Sequence, residues 1–397
     1  MSSPAAPARR ADPVAILAAG VVTPIGTDLD TFWAGLVGGR DGTSTIERFR
    51  VDDLRVGRAG EIKHVPGSAT THAECRASQL LLAAAEDLLR RRRLDAEPAR
   101  IGVVVGTALG GVEELEHALD KDGGPRRAGA ALYDSPGRTL ARRLDCRGPQ
   151  LTVSTACASG ATAIGVAADL LRTDRADLVI AGGFDVLCRF VMRGFDVLRS
   201  LTRERVRPFD RRRSGLLLGE SAALVLLARD GEVHGDRLGR LLGHASTSDG
   251  AHIAAPHPEG RGLLGAIRGA LAQAGVEPRD VDFVSAHGTG TPLNDRIETA
   301  VLKTALGPRA AQIPVNSIKS GLGHTMGAAA TLEAIMCLLA SRDGAVPPTL
   351  GYEDADPACD LDYVPGQARV TRPRISLSTS LGFGGCNAAL VLEGRSA

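Results

Sequence analysis

Three segments of the sequence place reactive residue types beside turns of small residues, and the first of them carries a cysteine. Cys157 lies in VSTACASG, which runs from Val153 to Gly160 directly before an Ala-rich helical pattern. Free N–H groups at a helix N-terminus favour a thiolate, so this position predicts a thiol with a lowered pKa. Cysteine is also one of the most frequently buried residue types, so packing is the alternative explanation at this point.

The other two segments carry histidines. His287 in SAHGTGTPLND follows an apolar run, and Lys319 and His324 lie in IKSGLGHTMGAA before a second Ala-rich pattern. Loops at strand ends often hold catalytic groups, so these residues and Cys157 form a candidate set for nucleophilic and acid–base chemistry. Zinc ligation by the same residues is the competing interpretation. The ligand spacing is not compact and a fourth ligand is missing, so the sequence predicts no metal site.

The elements that must position these residues alternate between short apolar runs and helical patterns. Such alternation predicts an α/β protein whose strands are covered by helices on both faces. The predicted strands are 14–22, 101–105, 151–154, 178–181, 222–227, 281–285, 313–316, 375–379 and 388–392, and the clearest helices are 78–90, 161–171, 262–274 and 328–340.

A weak internal repeat relates the two Ala-rich helices. Segments 153–183 and 315–345 each run from a strand, through a Gly/Ser turn with a reactive residue, into an Ala-rich helix. The repeat favours two similar halves that meet in the charged, Gly-rich stretch 229–240. The sequence therefore predicts a flexible tail over 1–12, an N-terminal half over 13–236 with the nucleophile, and a C-terminal half over 237–397 with both histidines.

Composition limits the classes of function. The chain has 397 residues, 44% of them hydrophobic and 23% charged, with a formal net charge of +1, as in an ordinary globular protein. This balance gives no reason to expect binding to nucleic acid or membranes. The N-terminus lacks the apolar core of a signal peptide. The seven cysteines have no C-x-x-C spacing, so we expect free thiols in a cytoplasmic protein.

Five residues in four ordered motifs resemble those of the β-ketoacyl-[acyl carrier protein] synthases, and most of all those of the elongating ketosynthases of type II fatty acid and polyketide systems. They are Cys157 in TACASG, His287 in AHGTGTPLND, Lys319 and His324 in IKSGLGHTMGAA, and Phe383 in GFGGCNA. The likeness extends from GVVTPIG at 20–26 to the last predicted strand. It implies a thiolase-like duplicated fold, with two mixed five-stranded sheets in an αβαβα layered arrangement, and a homodimer or a heterodimer with a chain-length-factor-like subunit.

The resemblance also implies a role for each matching residue. Cys157 would take an acyl group from an acyl carrier protein thioester, and the N–H groups of Cys157 and Phe383 would hold the oxyanion. His287 and His324 would stabilise the enolate that forms when malonyl-carrier protein loses carbon dioxide. The thioester and the malonyl carboxylate supply the driving force, so no cofactor is expected.

Further residues have implied supporting roles. Lys319 would orient the site electrostatically with Glu298 as its acidic partner, because a buried lysine without a partner is costly. Leu115 matches a substrate-pocket gate of relatives. Arg205 and Arg207 belong to an arginine cluster in the segment 203–213, and we expect them to dock the acidic carrier protein that bears the phosphopantetheine arm.

Departures from the family pattern leave the substrate and some alternatives open. Elongating relatives usually have Thr or Ser where this chain has Ala158, and Thr where it has Cys386. The segment 132–148, which lies beside the acyl pocket in relatives, is polar here. The segment 182–202 is closer to polyene-type polyketide ketosynthases. A thiolase-type acyltransferase using coenzyme A esters, with Cys386 as second cysteine, and an initiating Cys-His-Asn synthase are disfavoured by His324. A noncatalytic chain-length-factor-type subunit is disfavoured by Cys157.

Overall fold

The structure, a computed structural model, describes residues 10–67, 75–119 and 129–395. Its strands are β1 (Val14–Val22), β2 (Ser44–Thr45), β3 (Arg58–Ala59), β4 (Ile101–Gly106), β5 (Gln150–Val153), β6 (Leu178–Asp185), β7 (Ser221–Arg229), β8 (Gly239–Ser248), β9 (Phe283–Ser285), β10 (Val315–Asn316), β11 (Ala345–Val346), β12 (Arg369–Val370), β13 (Ile375–Gly382) and β14 (Cys386–Gly394). Its α-helices are α1 (Leu29–Val37), α2 (Arg76–Arg91), α3 (Val112–Leu119), α4 (Ser135–Arg143), α5 (Ser159–Arg172), α6 (Arg189–Val197), α7 (Arg261–Ala274), α8 (Pro292–Leu306), α9 (Lys319–Leu322) and α10 (Ala329–Asp343).

Two sets of five strands share one topology. The N-terminal set has the order β5-β4-β6-β7-β1 and the C-terminal set the order β10-β9-β13-β14-β8, so each reads third, second, fourth, fifth, first in chain order. In both sets the first three strands of this order are parallel and the remaining pairings are antiparallel. The predicted thiolase-like fold with two mixed five-stranded sheets is confirmed. The division of the chain at 236/237 stays a prediction.

The two sheets are joined along β1 and β8. Three antiparallel residue pairs, Val14 with Leu241, Ala15 with Arg240 and Ile16 with Gly239, make one continuous ten-stranded sheet. The sequence did not predict β8, because GRLLGHASTS mixes glycine with polar residues and overlaps the expected junction. Pairing with β1 on one side and β14 on the other fixes this segment as a strand through its backbone hydrogen bonds.

Helices form three layers around the two sheets. The central layer is α5 and α10, which pack against each other and against strands of both sets. Thirteen of the fifteen residues of α10 are buried, as expected for a helix enclosed between two sheets. α2 and α4 cover the outer face of the N-terminal set, and α7 and α8 cover that of the C-terminal set. No helix among the described residues is long and apolar enough to cross a membrane.

Candidate active site

The nucleophile turn, residues 154–158, connects β5 to α5. Ala156 has a φ of +50°, a left-handed conformation that is uncommon for a residue with a side chain and is held here by its surroundings. The Ser159 hydroxyl donates to the carbonyl of Ala156 at 2.5 Å and accepts from the N–H of Thr155 at 2.9 Å. The turn places Cys157 two residues before the start of α5, with 6% of its surface exposed.

A second turn approaches Cys157 from the end of β13. A Cβ atom on Gly382 would lie 2.9 Å from the carbonyl oxygen of Thr155 and 3.1 Å from the nitrogen of Cys157, so glycine permits the contact. The backbone N–H groups of Phe383 and of Cys157 itself face the thiol and lower its pKa. Two N–H donors therefore converge at the sulfur, and the Phe383 ring stacks on Phe195 with 5.4 Å between centroids.

The two histidines meet edge to face, with ring centroids 5.3 Å apart. The N–H of Met326 donates to His324 Nδ1 at 3.3 Å, which assigns the proton of the neutral ring to Nε2, a buried atom with no hydrogen-bond partner among the described residues. Burial, and then the charge of Lys319, lowers the pKa of both histidines well below its ordinary value. Both rings are therefore neutral, and His324 presents an N–H donor to the site.

Cys157, His287, His324 and Phe383 line one cavity of about 410 Å³. Polar and apolar side chains share its wall, among them Ser200, Ser214, Thr289, Asn387, Phe195, Leu198, Leu216 and Leu381. A volume of this size is in the range of small-molecule pockets. In the described part of the chain, no three His, Cys, Asp or Glu residues cluster as metal ligands. The predicted nucleophile and both histidines are thus brought together in a site that suits acyl chemistry.

The expected lowering of the Cys157 pKa is wrong as a net effect. Burial raises the pKa of the thiol to about 12, and the negative charge of Asp185 also raises it. The charge of Lys319 and the N–H groups of Phe383 and Cys157 act in the opposite direction and are outweighed. Burial disfavours the charged form of the sulfur more than the helix end favours it. The resting thiol is protonated, so its proton leaves as sulfur attacks.

Lys319 is paired with Glu333, which corrects the predicted pairing with Glu298. The ammonium of Lys319, 2% exposed, forms an ion pair with the Glu333 carboxylate on α10. Burial raises the pKa of Glu333 to about 7, and Lys319 opposes this rise. Glu333 faces the lysine from α10, whereas the carboxylate of Glu298 on α8 accepts hydrogen bonds from other donors.

Glu298 instead holds the turn that carries His287. Its carboxylate accepts hydrogen bonds from the N–H groups of His287 at 2.7 Å and Gly288 at 2.8 Å, and from the Thr379 hydroxyl at 2.8 Å. The residue is fully buried, and each of these donors would lose a partner on its removal. Glu298 therefore fixes the position of the His287 turn.

Three predicted peripheral residues lie away from the cavity wall. Leu115 is 47% exposed on α3 and does not line the cavity. The side chain of Arg207 is only 14% exposed and forms an ion pair with Glu353 at 3.0 Å, so its charge is used within the fold. Arg205, 41% exposed, contacts the same glutamate at 3.3 Å. The docking role of Arg205 and Arg207 stays a prediction.

Sequence reasoning missed three charged residues of the site. Asp185 ends the apolar strand β6 and is fully buried, and a lone acid after LVIAGGF was the available signal. Glu333 is the lone acid in the first two turns of a buried helix, which carried a similar signal. Arg199 lies at the cavity wall with an exposed side chain, and nothing in the sequence distinguished it from its neighbours.

A cysteine turn with two N–H donors, facing neutral histidines across a duplicated α/β fold, defines an acyl-transferring enzyme of the thiolase-like class. The family model of the beta-ketoacyl synthase N-terminal domain matches residues 11–232, and that of the C-terminal domain matches residues 238–353. The chain belongs to the β-ketoacyl synthase family.

Similar proteins come from polyketide and fatty acid systems. The tetracenomycin polyketide synthase ketoacyl synthase alpha subunit of Streptomyces glaucescens is 39% identical over 96% of each chain. The 3-oxoacyl-[acyl-carrier-protein] synthase 2 of a Synechocystis species is 35% identical over 96% of this chain and 97% of that protein. The solved ishigamide ketosynthase/chain length factor has a TM-score of 0.90 and 33% identity, over 97% of this chain and 100% of that one. A type II polyketide synthase ketosynthase solved with its acyl-carrier protein also has a TM-score of 0.90. It is 27% identical over 98% of this chain and 100% of that one.

Proposed function

We infer that this chain is a β-ketoacyl-[acyl carrier protein] synthase that catalyses decarboxylative Claisen condensation of an acyl group on Cys157 with malonyl-[acyl carrier protein], in type II polyketide or fatty acid biosynthesis. One observation carries the assignment of roles: the thiol, two backbone N–H donors and two neutral histidines meet in one cavity. The sequence and structure relatives are condensing enzymes of the same kind.

The first half-reaction transfers the acyl group. The sulfur of Cys157 attacks the carbonyl carbon of the carrier thioester, and the oxygen that becomes negative is held by the N–H groups of Cys157 and Phe383. The bond between that carbon and the carrier sulfur then breaks. Because the thiol is protonated at rest, its proton passes to the departing carrier thiolate, and a neutral carrier thiol leaves.

The second half-reaction makes the carbon–carbon bond. Malonyl-carrier protein loses carbon dioxide, and the electron pair of the broken bond forms an enolate whose thioester oxygen is negative. His324 Nε2–H, together with His287, donates to that oxygen, and removing such a donor typically costs about 3–4 kcal/mol of barrier. The enolate carbon attacks the acyl carbon, the Cys157 sulfur leaves as a thiolate, and the thiolate takes up a proton from solvent.

We propose that the carrier protein docks at the mouth of this cavity. Arg199 and Leu198 are exposed at the cavity wall, and Ile253, 83% exposed, accepts a hydrogen bond on its carbonyl from the N–H of Gly384 beside Phe383. A basic side chain among exposed apolar ones suits an acidic partner that inserts a phosphopantetheine arm. The solved complex of a ketosynthase with its acyl-carrier protein supports the choice of partner.

We further propose that the chain dimerises through β5. This strand is at one end of the ten-strand order, and its Leu151 is 42% exposed. An exposed apolar side chain on an end strand favours pairing with another chain. The partner is either a second copy or a chain-length-factor-like subunit, and solved relatives support the second choice. Leu151→Glu should lower the molar mass measured by light scattering. A cytoplasmic location, based on the cysteine pattern, completes the proposal.

The test of the function is an acyl adduct on Cys157. Parent protein, Cys157→Ala and Cys386→Ala are each incubated with acyl-carrier protein and analysed by intact and peptide mass spectrometry. Cys386 is a half-buried free thiol outside the cavity wall, so its variant is the matched control. We expect an adduct on Cys157 in the parent and in Cys386→Ala. An adduct on Cys157 that forms only from coenzyme A esters would favour a thiolase-type enzyme, an adduct on Cys386 would refute Cys157 as the nucleophile, and no adduct would favour a noncatalytic subunit.

A further inference from the structure

One buried carboxylate connects the two catalytic turns. Asp185 ends β6, is fully buried and accepts four hydrogen bonds. One oxygen accepts from the Thr107 hydroxyl at 2.7 Å and from the N–H of Leu109 at 3.1 Å. The other accepts from the N–H groups of Ala108 at 2.8 Å and Gly327 at 2.6 Å. Buried carboxylates need such donors, and here the donors come from two separate loops.

Each loop leads to one catalytic turn. The Ser159 hydroxyl shares its one proton between the carbonyls of Thr107, at 3.1 Å, and Ala156, and it accepts from the N–H of Thr155, so it connects the Thr107 loop to the Cys157 turn. Gly327 belongs to the His324 turn, residues 324–328. A Cβ atom on Gly327 would lie 2.7 Å from both the Asp185 carboxylate and the Cα atom of Thr107. The two loops and the carboxylate are therefore in direct contact, without room for a methyl group.

The two turns are structural counterparts in the duplicated fold. Ala156 and Met326 both have a φ of +50°, and each lies three residues before its helix, α5 or α10. The residue after each is Cys157 in one half and Gly327 in the other. In the first half the N–H at this position faces the thiol, whereas in the second half the N–H faces Asp185. The carboxylate thus fills, in the second half, the place that corresponds to the oxyanion site.

We propose that Asp185 is a positioning residue that fixes the His324 turn against the Cys157 turn by occupying the counterpart of the oxyanion site. This role rests on the proposed function, because it sets the distance between the acylated sulfur and the enolate donor. The carboxylate also acts on the thiol electrostatically. The groups around Cys157 are Lys319, the neutral His287 and His324, and Asp185, and among them Asp185 supplies the negative charge that raises the thiol pKa.

Asp185→Asn tests both effects. The amide nitrogen of asparagine donates and cannot accept, so two of the four groups that donate to the Asp185 carboxylate lose their acceptor. The substitution also removes the negative charge. We expect the iodoacetamide alkylation rate of Cys157 at fixed pH to rise about threefold or more, because the thiol pKa falls. Condensation should fall on the order of 100-fold through misplacement of His324, while acylation of Cys157 should fall by less than about tenfold. A purely structural residue would accelerate alkylation only by exposing the buried thiol, and Thr107→Val, which keeps the charge, would then show the same gain.

Two further variants complete the experiment. Asp87 is another fully buried carboxylate, binding the N–H groups of Val21 and Leu29 away from the site, and Asp87→Asn should leave alkylation unchanged. Thr107→Val removes one donor and keeps the charge, so alkylation should not change while condensation falls. If alkylation in Asp185→Asn equals the parent rate, or acylation and condensation fall equally, the proposal is wrong. Alkylation needs no carrier substrate, so it still tests Asp185 if the parent fails to condense.

Discussion

Replacing Lys319 by methionine should destabilise the fold by about 3–5 kcal/mol, the usual effect of removing one partner of a buried ion pair. The pair with Glu333 meets this condition, since the two side chains are 2% and 1% exposed. Glu333→Gln should have a similar effect, because it leaves the ammonium buried without an acid. The double variant should be much less damaged than the sum of the single variants, with a coupling energy of about 3 kcal/mol.

The pH dependence of this destabilisation has a definite sign. The pKa of Glu333 in the fold, about 7, is above its ordinary value of 4.5, so the fold favours the protonated acid. The stability that this group contributes is complete below about pH 4.5 and is lost as pH rises through 7. Without Lys319 the Glu333 carboxylate has no neighbouring cation in the described part of the chain, so the deficit of Lys319→Met should be largest above pH 7 and smaller near pH 5.

Urea unfolding of the single and double variants measures these quantities. The discriminating control is a second double-mutant cycle with Glu298→Gln, the partner that the sequence suggested. Glu298 binds the His287 turn, so its coupling to Lys319 should be clearly weaker than that of Glu333. Stronger coupling to Glu298 than to Glu333, or a Lys319→Met variant as stable as the parent, would refute this reasoning.

Further predictions concern the separate steps of the reaction. Cys157→Gln should release carbon dioxide from malonyl-carrier protein faster than the parent does, because the amide oxygen can occupy the oxyanion site, whereas Cys157→Ala should not show this gain. His324→Ala should still acquire an acyl group on Cys157 but lose decarboxylation. Because burial and Lys319 lower the pKa of both His287 and His324 far below 6.5, decarboxylation by Cys157→Gln should be flat from about pH 8 to about pH 6. Arg199→Glu should raise KM for carrier-bound substrate about fivefold with little change in kcat, while Arg268→Glu on the outer layer should not.

Each of these outcomes can fail in a specific way. Decarboxylation at the parent rate by His324→Ala would remove that residue from the enolate site. A decline of activity with a midpoint near pH 6.5 would show that a histidine is charged at rest. Equal KM values for Arg199→Glu and the parent at low salt would move carrier docking to another face, with Arg205 the next candidate.

Most of the fold follows from local sequence patterns. β1 was predicted at its observed limits, and the remaining strands of the two sheets, except β8, were found within a few residues, because apolar runs report burial on both faces. The shared topology of the two halves was indicated by segments 153–183 and 315–345. β8 was not predicted, because it pairs with strands about 150 and 225 residues away in the chain, and no short stretch of sequence contains both partners.

The site shows a similar limit. The motifs identified Cys157 and His324 because reactive residues in small-residue turns are conspicuous. They did not identify the partner of Lys319, because Glu298 and Glu333 are both acids close to Lys319 in the chain. Which of them pairs with the lysine depends on how α8 and α10 face it. The predicted direction of the Cys157 pKa shift was wrong for the same reason. The local sequence shows that the cysteine precedes a helix, whereas the extent of its burial is decided by elements distant in the chain.

The shared topology of the two halves also bears on how such a site can originate. A pair of identical halves would present two identical turns, with either two cysteines or two glycines at the counterpart positions, and two copies of every donor. Such a symmetric ancestor could not bring one nucleophile against one set of enolate donors. Duplication within a single chain removes this constraint, because each copy can then diverge at its own turn while the joined sheets keep the two turns in place. The asymmetry between Cys157 and Gly327 is therefore a specialisation that a covalent link between the halves permits.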